Sequence, residues 1–187
     1  PANVFDESCE YVPACVDNKN DDSVDMTEVI DAAKIINESS RPLIYAGGGV
    51  IASDTKNLVT KLSALLKAPI GVSMRGVGVT DFDNKYFIGV STAKNARAKA
   101  ALKEADLLIS VGARFSSKAT EKTFYNKNLK LLHLDVDAAE IDKNHQSDAR
   151  IVGDLAQTLP LLLSRVNEKE HAWFNAKPDK NERLSPV

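Results

Sequence analysis

The chain has 187 residues, 43% of them hydrophobic, and its 24 basic and 26 acidic side chains leave a formal net charge of −2. That is enough apolar material for one domain with a substantial core and a squeeze for two, and charges scattered along the chain argue against a nucleic-acid partner. The longest apolar runs, such as Leu107 to Val111, fall far short of the ~20 residues a membrane helix requires, and with only Cys9, Cys15 and three histidines there is no zinc-ligand spacing, so reduced thiols in a cytoplasm are expected.

The chain opens on Pro1 without a charged-then-apolar leader and reads as an excised fragment, its residues 1–26 polar, acidic and linker-like. Val29, Ala33 and Ile36, with Ile30 and Ala32, recur at helical spacing and predict a helix over 27–38, capped by Asp25 or Thr27. Leu43 to Ala46 follows Pro42, ends in three glycines and suits a strand buried on both faces. Ser53 or Asp54 can then cap a helix in which Leu58, Leu62, Leu65 and Leu66 share a face until Pro69 stops it, and Ile70 to Met74 resumes as a strand. The alternation repeats with a helix from Asn95 to Glu104, strands at Leu107 to Val111 and Leu131 to Leu134, and a shorter strand at Arg150 to Val152. A last helix runs from Asp154 to about Val166, where Pro160 should kink or divide it. Residues 167–187 read as a second linker, in which Trp173 and Phe174 would dock on the domain or on a missing neighbour. The domain itself is therefore expected at 27–166, an α/β three-layer fold in which a doubly wound parallel sheet of about six strands carries helices on both faces.

In such a sheet, ligands gather beyond the carboxyl ends of the strands. Gly47 to Ala52 matches a relaxed G-x-G-x-x-A pattern that lets a phosphate approach backbone amides, although a tight strand-to-helix turn needs glycine with equal right. Ser73 to Gly78 places small residues and Arg75 after the next strand. Gly112 to Lys118 offers Arg114 as a rigid donor fork and Lys118 as a point charge suited to a diphosphate. Asp135, Asp137 and Asp154 follow later strands and can accept from ribose hydroxyls or an adenine amine, or cap helices instead. There is no nucleophile elbow, no H-E-x-x-H and no G-x-x-x-x-G-K-[ST] loop, and His133 sits in an apolar strand as a core histidine would, so no residue is assigned to catalysis or to a metal. A nicotinamide dehydrogenase domain would need an acid closing its second strand, where this chain has Val72-Ser73-Met74-Arg75; a sirtuin-like deacylase would need four zinc cysteines; a purely structural domain stays open.

Taken in order, Arg41 to Gly49, Ser73 to Gly78, Ala105 to Ile109, Gly112-Ala113-Arg114-Phe115, His133 to Ile141 and Gly153-Asp154 resemble the central domain of acetolactate (acetohydroxyacid) synthase large subunits, over about Arg41 to Leu163. The resemblance implies a full-length transferase of branched-chain amino-acid biosynthesis. In that family the outer domains of the polypeptide bind thiamine diphosphate and Mg²⁺ and condense pyruvate into acetolactate, and the central domain binds FAD without consuming it as a redox reagent. It implies missing N- and C-terminal domains as partners, a homo-oligomer at full length, and no activity in this segment alone. Carried over residue by residue, Gly47, Gly48 and Gly49 would approach the FAD sugar-phosphate region and Ser73, Met74 and Gly89 would lie along the cofactor. Arg114, on its loop with Gly112 and Ala113, would contact the diphosphate, while Asp135 and Asp154 would serve the ribose and adenine end. Another thiamine-diphosphate-dependent decarboxylase or oxidase, with a structural or ADP-type site, is the nearest alternative. FAD-binding members commonly carry Gly-Met-His-Gly where this chain has Gly89-Val90-Ser91-Thr92, and the charged residues usual after the G-A-R-F segment are here Ser116 and Lys118.

Overall fold

The computed structural model describes residues 23–91, 95–115 and 128–175; Cys9, Cys15, Thr92, Ser116 and Lys118 lie outside them, as does most of both expected linkers. Six strands form one sheet: β1 (Pro42–Ala46), β2 (Ile70–Val72), β3 (Phe87–Val90), β4 (Leu107–Val111), β5 (Lys130–Asp135) and β6 (Ala149–Val152). All pairings are parallel and the order across the sheet is β3-β2-β1-β4-β5-β6. The central strands are continuous apolar runs because both of their faces are covered, and successive residues feed opposite layers. Ile44, Ile109, Val111, Leu132 and Leu134 join the larger core beneath α1 (Met26–Glu38), α3 (Lys56–Leu66) and α5 (Leu155–Leu163). Leu43, Leu108 and Leu131 face the other way, onto α4 (Ala96–Glu104). The three-layer doubly wound fold expected from the alternation is thus present.

Local chemistry explains the helix boundaries. The Asp25 carboxylate caps α1 by accepting from the Thr27 amide at 2.8 Å, Asn95 caps α4 through the Ala98 amide, and Asp154 caps α5 through the Ala156 amide at 2.8 Å. Within α1, Val29, Ala32, Ala33 and Ile36 are buried whereas Ile30 is 55% exposed. The buried face of α3 is Val59, Leu62, Ser63 and Leu66; the stripe expected through Leu58 and Leu65 is corrected, because those two flank that face and are only half-buried. This helix ends on Lys67 in the left-handed region at φ 47°, two residues before Pro69. Pro160 does not divide α5: one intrahelical donor is lost, while Leu155, Leu159 and Leu162 stay buried along one face and hold the segment helical.

Other elements depart from the expectation. Strand β2 stops at Val72, and Met74–Gly76 turns into a short 3₁₀ helix closed by the Ser73 side chain. The glycine run opens a short helix, α2 (Gly48–Ala52), so neither Ser53 nor Asp54 caps α3; Thr55 precedes it without a side-chain cap. The edge strand β3 was not expected at Phe87–Val90.

Residues 167–175 return onto the domain. The Lys169 ammonium donates to the carbonyls of Asn37 and Ser39, and the Trp173 indole donates to the Pro42 carbonyl at 2.8 Å. Trp173 and Phe174 pack against the Leu43–Leu108–Leu131 layer, the first of the two positions foreseen for them. At the amino edge of the sheet, the Asp106 carboxylate gathers the Ser39 hydroxyl and the Ser40 and Arg41 amides, tying the end of α1 to the start of β4. Among the described residues no helix is long and apolar enough to cross a membrane.

Candidate functional site

The strand order reverses direction between β1 and β4, and at that point the loops leaving the two strands diverge to opposite faces. Here they remain in contact. The Gly47 amide donates to the Val111 carbonyl at 2.8 Å and the Gly49 amide to the Gly112 carbonyl at 3.0 Å. A Cβ on Gly47 would lie 2.1 Å from the Gly112 carbonyl oxygen, and one on Gly49 would lie 2.8 Å from the Gly112 Cα, so glycine is required by the approach of two backbones. On the other side of the turn, a Cβ on Gly48 would meet the Arg75 Cβ at 3.1 Å, and one on Gly76 would meet the Ala46 carbonyl oxygen at 2.3 Å. The three segments singled out in the sequence therefore converge: Gly47–Gly49 in the middle, Ser73–Gly76 on one flank and Gly112–Arg114 on the other. Arg75 and Arg114 are exposed on these flanks, and Met74 is 64% exposed beside Arg75.

The loop carrying Arg114 is anchored at each residue around it. Gly112, at φ 57°, donates its amide to the Leu134 carbonyl at 2.8 Å. Ala113 is buried, its carbonyl 3.1 Å from His133 Nε2. Asn144 Nδ2 donates to the Arg114 carbonyl at 3.0 Å. Phe115, at φ 49°, is buried and stacks on Tyr45 with ring centroids 5.7 Å apart, while His133 and His145 form T-shaped contacts with it at centroid separations of 5.2 and 5.4 Å. An exposed guanidinium is thus held between two buried neighbours. Burial holds the His133 pKa below the ordinary histidine value, against the opposing pull of the Ala113 carbonyl and of Asp135, Asp142 and Glu140, and it pushes the Tyr45 phenol up. The tethers from His133, Asn144 and Phe115 were not evident in the sequence, where only the aromatic of the G-A-R-F segment hinted at an anchor.

The acids sit farther along the same edge. Asp135 is buried and accepts from the Asp137 amide at 3.0 Å; Asp137 accepts from the Ala139 amide at 2.9 Å. Asp154 is the cap of α5, and the Gly153 amide donates to the Asp135 carbonyl at 3.0 Å, so the ends of β5 and β6 bring Asp135 and Asp154 into one neighbourhood. One carboxylate oxygen of each is engaged locally. Gly89 lies on the outer edge strand at φ 90°, paired in register with Gly71, where Asn95 pins the strand through the Ile88 and Val90 carbonyls. A Cβ on Gly71 would meet Ser91 Oγ at 2.2 Å, so Ser91 packs flat on β2. Gly89 is thereby separated from the glycine turn by the whole of β2.

A groove of about 650 Å³ lies elsewhere, between α1 and the amino ends of β5 and β6, lined by Glu28, Asp31, Asp142 and Asp148 with Lys130 and Arg150. It is the opposite edge from the three loops. Among the described residues no group of His, Cys, Asp and Glu is placed to hold a metal.

Comparison with known proteins places the chain among relatives. The sequence model of a family described as thiamine pyrophosphate enzyme, central domain, matches residues 29–162. The chain is 37% identical over 139 residues to the acetolactate synthase large subunit of Porphyra purpurea, 73% of this chain and 24% of that protein. It is 37% identical over 141 residues to a probable acetolactate synthase large subunit of Methanocaldococcus jannaschii, 74% of this chain and 24% of that one. With the acetolactate synthase isozyme 2 large subunit of Escherichia coli K12 it shares 30% over 159 residues, 78% of this chain and 29% of that subunit. The chain thus spans about a quarter of the length of the curated relatives it matches.

Proposed function

Because the chain belongs to the thiamine pyrophosphate enzyme central-domain family, we propose that it serves as the nucleotide-holding central domain of an acetolactate-synthase-like enzyme, with the diphosphate of FAD or of an adenine nucleotide lying across the carboxyl edge at the β1/β4 switch point. The observation that carries this reading is the convergence of three loops there with Arg75 and Arg114 exposed on either flank of a glycine turn. Arg114 is the diphosphate ligand, presented by Gly112 and Ala113. Gly47, Gly48 and Gly49 form the floor beneath the sugar-phosphate region. Ser73, Met74 and Gly89 lie toward the flavin side, and Asp135 and Asp154 offer their remaining carboxylate oxygens to the ribose and adenine.

The residues fit a diphosphate through charge, because the close approach that the glycines allow brings the loops carrying the exposed Arg75 and Arg114 together. The flavin side fits less well: the position where FAD-binding members commonly have histidine is Ser91, which packs on Gly71. This favours an ADP-type site as the second reading. FAD, when bound, would add a dinucleotide bridging the loops, with no redox step required of it. In the full-length enzyme, thiamine diphosphate and Mg²⁺ would be held by domains outside this chain, those domains would condense pyruvate to acetolactate, and the subunits would pair as a homo-oligomer in the cytoplasm. This segment alone should form no acetolactate.

Calorimetric titration with FAD, ADP and FMN tests the reading. Binding of FAD and ADP without FMN is expected; FAD binding more tightly than ADP would assign the flavin side as well. Binding of neither FAD nor ADP would overturn the nucleotide role.

A further inference from the structure

The Arg114 loop follows β4, but much of what holds it comes from β5 and the turn beyond. His133 is 1% exposed, and its Nε2 lies 3.1 Å from the Ala113 carbonyl oxygen. A carbonyl only accepts, so Nε2 must carry the hydrogen. The ring's other nitrogen, Nδ1, is buried and has no protein hydrogen-bond partner among the described residues. Strand register places Ser110 beside it: Tyr45, Ser110, His133 and Arg150 form one row across β1, β4, β5 and β6. The Ser110 hydroxyl is likewise buried without a protein partner, so a bare Nδ1 gives that row an acceptor where Ser110 offers a donor. A hydrogen at Nδ1 would make the ring a cation inside an apolar layer formed by Leu108, Leu131 and Phe115. The neutral Nε2–H tautomer is the form these surroundings accommodate.

Resting on the diphosphate reading of Arg114, we infer that His133 is a positioning residue for that arginine: its Nε2–H fixes the Ala113 carbonyl, its ring packs in a T-shaped contact with the Phe115 ring, and together these hold the Ala113–Phe115 segment so that the Arg114 backbone is set before any ligand arrives. Asn144 completes the arrangement by tying the Arg114 carbonyl at 3.0 Å. His133 touches no ligand in this scheme. Its contribution is to spare the site the ordering of a loop on binding.

Two variants separate this role from simple core packing. In His133→Gln the side-chain amide can place an N–H near the position of Nε2; in His133→Leu a residue of similar bulk cannot donate. The first readout needs no ligand: nuclear Overhauser contacts between the Phe115 and Tyr45 rings should persist in the Gln variant and be lost or weakened in the Leu variant. The second is ADP affinity, expected within about threefold of wild type for Gln and weakened about tenfold or more for Leu, the order set by an unsatisfied buried carbonyl. The third uses wild type alone, so poor folding of a variant does not remove it: the imidazole ¹⁵N spectrum should show a protonated Nε2 and a bare Nδ1. A bare Nε2, or a Leu variant that keeps both the ring contacts and the wild-type ADP affinity, would overturn the inference. If Arg114→Ala binds ADP as well as wild type, the diphosphate reading fails instead, and the ring contacts and the tautomer still decide whether His133 sets the loop.

Discussion

Replacing Gly47 by alanine tests why glycine stands at the switch point. The residue has φ −105° and ψ −172°, an extended conformation open to alanine, so any penalty is steric rather than conformational. The added Cβ would lie 2.1 Å from the Gly112 carbonyl oxygen, 2.6 Å from the Ala113 Cα and 2.7 Å from the Ala113 Cβ. Each contact is about an ångström inside normal van der Waals separation, and two of the three atoms are backbone, so the β1 and β4 loops must part. Parting them weakens the hydrogen bonds from the Gly47 and Gly49 amides at 2.8 and 3.0 Å. Overpacking of this kind costs about 1–3 kcal/mol and the weakened hydrogen bonds about 0.5–1.5 kcal/mol each, so a loss of roughly 3 kcal/mol is expected. For a domain of this size that lowers the thermal midpoint by roughly 6–12 °C. Gly48→Ala is the control, because its Cβ meets the Arg75 Cβ at 3.1 Å, a contact an exposed turn can relieve; its change should stay within about 0.5 kcal/mol. Urea and thermal unfolding of both variants check the contrast. Equal stabilities for Gly47→Ala and wild type would refute the claim that two backbones meet there.

Further outcomes follow from other contacts. Asp106→Ala should cost roughly 2–3 kcal/mol by removing the acceptor shared by the Ser39 hydroxyl and the Ser40 and Arg41 amides. Partial burial raises the Asp106 pKa, but the hydrogen bonds from Ser39, Ser40 and Arg41, with the charge of Arg41, outweigh it and leave the pKa below the ordinary value. A depressed carboxylate stabilises the fold above its unfolded pKa of about 3.9 and loses that contribution as pH falls through its folded pKa. The gap between wild type and Asp106→Asn, measured by urea unfolding, should therefore be widest near neutrality and close as acid is added below about pH 4. Trp173→Ala should destabilise by roughly 1–3 kcal/mol through the lost ring packing and the lost donation to the Pro42 carbonyl. As the sole tryptophan, it reports its own docking: wild-type emission should shift to the red on unfolding, and an unshifted band would contradict the contact.

What could be read in advance follows from where the causes lie. The strands β1, β4 and β5 announce themselves because burial on both faces demands unbroken apolar runs such as Leu107 to Val111. Asp154 and Asn95 stand at helix starts because their short side chains reach backbone amides a few residues on. Strand β3 was missed because it is short, lies at an edge, is broken in register against β2 and contains Gly89 at φ 90°. Helix α2 was missed because Gly48 and Gly49 are poor helix formers, and contact with the β4 loop overrides their propensity. The position of Arg114 after a strand was legible, since it depends on local order. Its supports were not, because His133 and Asn144 reach it from 20 and 30 residues away in the chain and only the folded sheet brings them together.

The central claim is that Arg114 meets a diphosphate at the switch point, and titration of ADP into wild type, Arg114→Ala and Arg114→Lys tests it most directly. Loss of a charge-assisted hydrogen bond should weaken ADP by roughly 1.5–3 kcal/mol in the Ala variant, about tenfold to a hundredfold or somewhat more. Lysine should recover only part of that, because a point charge cannot reproduce a two-pronged fork. Melting temperatures without ligand should coincide, since the Arg114 side chain is exposed. Equal ADP affinities in all three proteins would contradict the account.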